Sequence, residues 1–109
     1  MAKKYSLAEE QLINECVNAV NKPKLNYYFI LSVNENGEKR FQRTSKGLNL
    51  NENEHILLFL TPTAIPYFKE EAGFGKVSNK DAISTFKQII KTQIDEANKN
   101  HEFQKSLGR

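Results

Sequence analysis

The chain has 109 residues, with one cysteine, Cys16, and two histidines, His55 and His101. None of the three stands at a spacing that nucleophilic or metal chemistry requires. Cys16 falls within the apolar set Leu12, Ile13, Cys16, Val17 and Val20, where a thiol serves as a small buried hydrophobe. The histidines have no second ligand at metal spacing and read as surface or strand-end residues. Gly73-Phe74-Gly75 lacks the third glycine and the preceding strand of a phosphate-cradling loop, so it reads as a helix terminator. The acidic pairs Glu70-Glu71 and Asp95-Glu96 are adjacent in helical segments, point in different directions and behave as solvated charges. The sequence therefore nominates no catalytic residue, no cofactor-binding residue and no metal ligand, and it implies no cofactor.

The one constellation with a possible binding role is Lys39 to Lys46, a strand-like run with four basic residues, Lys39, Arg40, Arg43 and Lys46, preceded in the chain by Tyr27 and Tyr28. Cations beside aromatic rings suit a nucleic-acid strand, since cations contact phosphates while rings stack on bases. The competing reading is an edge strand, on which Lys and Arg keep other chains from pairing. These six residues, Tyr27, Tyr28, Lys39, Arg40, Arg43 and Lys46, are the candidate partner-binding set. Lys80, Lys87 and Lys91 form a second basic row, which reads as the water-facing side of a helix.

The elements that would position these groups follow from local pattern. Ser6-Leu7-Ala8-Glu9 is a capping box, and the three- and four-residue recurrence of apolar residues behind it predicts a helix over 7–20, closed by Asn21 and Pro23. Leu25 to Val33, rich in aromatic and β-branched residues, predicts a strand. Asn34-Glu35-Asn36-Gly37 is a hairpin signal, with Lys39 to Ser45 the returning strand. A two-residue turn would set Val33 opposite Arg40. A three-residue loop with Gly37 left-handed instead pairs Leu31 with Phe41, gathers the apolar residues on one side and is the preferred register. Arg40 then shares a face with Tyr28, Ile30, Gln42 and Thr44, while Lys39 and Arg43 flank Phe41 on the other.

His55 to Leu60 is apolar at every position after the first and predicts a strand interior to the sheet. Thr63 is positioned to cap a short helix with Pro66 in its first turn, ending at Gly73. Ser78 to Asp81 signals a second cap, and Ile83, Phe86, Ile89, Ile90, Ile94 and Ala97 predict a last helix to about Lys99. Phe29, Leu31, Phe41, Leu58, Ile83, Phe86 and Ile90 are the expected core. The order αβββαα implies an α+β fold, a small antiparallel sheet of about three strands with helices packed on one face. Residues 1–109 read as a single domain with frayed ends at about 1–5 and 101–109, although Phe103 could dock on the body.

No apolar run approaches the roughly 20 residues of a membrane span, and Glu9 and Glu10 stand where a signal peptide would be apolar. A lone cysteine gives no reason for an oxidising compartment, so the expected location is the cytoplasm. The net charge of +3 is small, and residues 25–60 carry four basic and four acidic side chains. That balance does not select nucleic acid. The abundance of Lys, Asn and Ile suggests an AT-rich bacterial or phage genome.

A helix, then Pro-Lys-Leu-Asn-Tyr-Tyr-Phe-Ile, a hairpin, and a strand leading into Phe59-Leu60-Thr61-Pro62-Thr63 with a short helix behind it resembles the amino-terminal domain of SseB-type bacterial proteins over about residues 6–72. In that family a Phe-Thr-Ser segment follows the apolar strand; here Leu60 separates Phe59 from Thr61, and Pro62 replaces the serine. The resemblance implies a small α+β scaffold and transfers no catalytic residue. The functional expectation is a protein-binding or accessory module of bacterial or mobile-element origin, acting through a sheet face or edge. Single-stranded nucleic-acid binding on 39–46 is the alternative, and an enzyme of unrecognised type stands behind it.

Overall fold

The computed structural model describes residues 4–22, 25–75 and 79–107, with side chains described as far as Phe103. Pro23, expected to stop the first helix, and Ser78, expected to cap the last, lie outside these residues. The elements run α1 (Leu7–Ala19), β1 (Tyr28–Asn34), β2 (Lys39–Thr44), β3 (Glu54–Leu60), α2 (Ala64–Glu71) and α3 (Asn79–Leu107). Three helices and a three-stranded antiparallel sheet in the order β2-β1-β3 make this an α+β fold.

The capping box of α1 forms as its sequence dictates. The Glu9 amide donates to Ser6 Oγ at 3.3 Å, and the Ser6 amide donates to Glu9 Oε1 at 2.7 Å. The stripe behind it is buried at Leu12, Ile13, Cys16 and Val20. The hairpin takes the three-residue loop: Leu31 stands opposite Phe41, Ser32 opposite Arg40 and Val33 opposite Lys39. Gly37 has φ +83°, the left-handed position that closes a type I turn with a bulge, and the Gly37 amide donates to Asn34 O at 3.0 Å. The Asn34 side chain locks the turn, its Oδ1 accepting from the Asn36 and Glu38 amides at 2.9 and 3.0 Å.

One face of the sheet carries Phe29, Leu31, Phe41 and Leu58, and these pack with the stripes of α1 and α3 and with Ile65 and Phe68 of α2. Phe86, Ile90 and Ile94 of α3 are fully buried there. Of the expected core, Phe29, Leu31, Phe86 and Ile90 are buried, while Phe41, Leu58 and Ile83 are half-buried. Ala82 is fully buried, beside half-buried Ile83.

Four local expectations are corrected. The chain between Leu25 and Tyr27 is not strand, and β1 starts at Tyr28. β3 lies at the edge of the sheet and β1 in the centre, because β1 pairs with both other strands. Thr63 does not cap α2 with its side chain; its hydroxyl lies 2.9 Å from the Thr61 hydroxyl instead. α3 continues past Lys99 to Leu107, and Phe103 stands 64% exposed rather than docked.

Gly73 does end α2. With φ +85° it allows the Gly73 amide to reach Glu70 O at 3.0 Å and the Phe74 amide to reach Lys69 O at 3.4 Å, a Schellman closure. The Phe74 ring then meets Phe86 edge-on at 6.5 Å, which carries the chain from α2 toward α3.

Candidate functional site

β2 places its basic residues alternately on the two faces of the sheet, as the hairpin register requires. On the helix-covered face, Lys39 Nζ lies 3.0 Å from Glu9 Oε2 and Arg43 Nη1 lies 2.6 Å from Glu15 Oε1, so both cations tie β2 to α1. Asn98 of α3 also donates to Glu9 Oε2, at 2.7 Å. The Glu9 side chain is 4% exposed. Burial raises its affinity for a proton, but the hydrogen bonds from Asn98, the Ser6 amide and Lys39 outweigh this and hold the carboxyl below the usual range.

On the other face, Arg40 grips Glu54 with Nε at 2.8 Å and Nη2 at 2.7 Å. Glu54 also accepts from the Asn51 amide at 2.8 Å and from Ser32 Oγ at 3.3 Å. The Arg40 hydrogen bonds, then the Asn51 amide, pull the Glu54 carboxyl down to about 2, against desolvation. Arg40 Nη2 and Gln42 Nε2 both donate to Asn49 O, at 2.8 and 2.9 Å. The segment joining β2 to β3 therefore crosses this face on its way past β1. Ile30 and Ser32, which point away from the helices, are fully buried.

Of the six residues singled out in the sequence, Tyr27 and Arg43 come together, with the guanidinium 5.0 Å from the ring centroid. Tyr28 is on the opposite face and stacks on Phe59 at 5.3 Å. Lys46 is exposed just beyond β2. Lys39, Arg40 and Arg43 each spend their charge on a glutamate, so the six do not form one continuous basic stripe.

The residues that sequence reasoning overlooked are on β3. Ile56 is 39% exposed and Phe59 40% exposed, and both lie on the face away from the helices, Ile56 opposite Ser32 and Phe59 stacked on Tyr28. A bulge inserts Leu57 between Ile56, opposite Ser32, and Leu58, opposite Leu31, so that consecutive leucines both pack toward the core and remain half-buried. The free edge of the sheet on this side is thus apolar on both faces and only partly covered. Its uninterrupted apolar run was visible in the sequence, but it pointed equally to an interior strand.

Cys16 is fully buried, and burial followed by the negative charge of Glu15 raises its thiol far above the range in which a thiolate forms. Among the described residues no group of three or more His, Cys, Asp or Glu side chains is placed to hold a metal ion, and no helix is long and apolar enough to cross a membrane. No family profile, curated protein or solved structure matches the chain, so the likeness to SseB-type domains rests on its motif alone.

Proposed function

We propose that this chain is a protein-binding accessory module, rather than an enzyme, of bacterial or mobile-element origin. On this reading it recognises its partner by adding an extended partner segment to the free edge of β3. The observation that carries this is the contrast between the two sheet edges. β2 presents Lys39, Arg40 and Arg43, while His55–Leu60 of β3 has no Lys, Arg, Asp or Glu and leaves Ile56 and Phe59 exposed. An edge strand offers backbone donors and acceptors that only another extended backbone can satisfy in register, and apolar side chains beside it supply affinity. The stacked Tyr28–Phe59 pair is a rigid aromatic anchor of the kind that dominates interfaces.

Nucleic-acid binding on 39–46 ranks lower, because Lys39, Arg40 and Arg43 would have to leave Glu9, Glu54 and Glu15 to meet phosphates. The test is capture from the native host with wild type and with Ile56→Lys and Phe59→Lys, followed by amide exchange on the purified complex. The proposal expects a partner that both variants lose and that slows exchange within Glu54–Leu60. A partner retained by both variants, or protection on β2 instead, would overturn it.

A further inference from the structure

We propose that the groove between α1 and α3 binds a small organic phosphate. This site is separate from the β3 edge and does not depend on the reading given for it. The groove is broadly open to solvent and has a volume of about 610 Å³, within the range of about 300–1,000 Å³ typical of pockets for small ligands. Three lysines line it from two parts of the chain, Lys4 ahead of α1 and Lys87 and Lys91 one turn apart on α3, against a single acidic residue, Glu10.

The charges on β2 make the comparison that matters. Each of those three cations ends on a glutamate, whereas Lys4, Lys87 and Lys91 form no ion pair among the described residues. Like charges converging on one concave surface raise the local potential, and an anion entering it relieves their repulsion. Lysine binds phosphate as a compact point charge with rotatable donors.

The rest of the lining suggests the remainder of the ligand. Leu7, 74% exposed at the rim, and the Tyr5 ring offer apolar contact. Tyr5 is held by its hydroxyl, which donates to Asp95 Oδ1 at 3.2 Å, and Lys91 Nζ lies 6.0 Å from its ring centroid. Gln11 and Asn14, on the same side of α1, add amide donors and acceptors for hydroxyl or ring nitrogen groups. From Leu7 to Asn14 the helix advances only about 10 Å, which accommodates a metabolite and is short for a docked acidic helix.

Backbone amide shifts during titration with phenyl phosphate, inorganic phosphate and a hexaglutamate peptide test this at fixed low salt. Phenyl phosphate should move amides in residues 4–14 and 84–94 and should bind more tightly than inorganic phosphate. Charge reversal by Lys87→Glu with Lys91→Glu, or by Lys4→Glu alone should that double variant fail to fold, should weaken it about tenfold. Shifts outside the groove, unchanged binding in a folded variant, equal affinity for inorganic phosphate, or tighter binding of hexaglutamate would each overturn the proposal.

Discussion

Glu9 and Glu54 show how much two carboxylates organise. Glu9 closes the α1 cap and also receives Lys39 from β2 and Asn98 from α3, so one side chain joins three elements. Glu54 joins β3 to β2 through Arg40 and to the central strand through Ser32. Both carboxyls are held below their ordinary range in the folded chain. The unfolded chain therefore binds more protons than the folded one when the pH lies between the two values. For Glu54 that window runs from about 4.5 down to about 2. Its contribution should be fully present above pH 5 and lost as pH falls through the window. Urea titrations at a series of pH values should show the midpoint dropping across it. Glu54→Gln should be less stable than wild type at pH 7 and show a shallower drop in acid. Parallel curves for the two proteins would mean that the Arg40–Glu54 contact contributes nothing to stability. The Arg43–Glu15 pair is more exposed, at 45% and 32%, and belongs to the class of surface pairs worth about 0–1 kcal/mol.

Among the elements, α3 buries Ala82, Phe86, Ile90 and Ile94 completely along one face. Phe86 also receives the Phe74 ring, which links the end of α2 to α3. Phe86→Ala should cost about 3–5 kcal/mol in urea unfolding, the transfer of the ring plus the cavity it leaves. A loss below roughly 1 kcal/mol would show that α3 packs more loosely than its burial indicates. The hairpin carries the opposite lesson, because its register rests on a few local groups: Gly37 at positive φ and the Asn34 side chain bonded to the turn amides. A single-residue slip there would move Phe41 to the face that carries Arg40, and the basic residues would exchange sides.

At the scale of the whole molecule, the long dimension of 47 Å follows from α3, whose 29 residues span about 43 Å. The sheet lies beneath it with β1 in the middle, flanked on both sides and buried from Phe29 to Val33. Amide exchange should therefore be slowest in Phe29–Val33, faster in β3 and fastest in the connection over 45–53, because exchange follows the cost of local opening. Equal protection across β1 and β3 would contradict an exposed β3 edge in the isolated chain. Much of this organisation was legible in the sequence: the capping box, the stripes of α1 and α3, the bulged hairpin and the Gly73 stop all depend on residues a few positions apart. The strand order was not legible, because Phe29–Val33 and Ile56–Leu60 are both apolar enough to occupy the centre. Nor were the partners of Glu9 and Glu54, which lie far away in the chain. These were decided in the tertiary structure, where α1, α3 and the crossing segment 45–53 together cover both faces of β1 but only part of β3. Local backbone preferences act within a turn or two, whereas the choice of central strand compares the burial of whole faces.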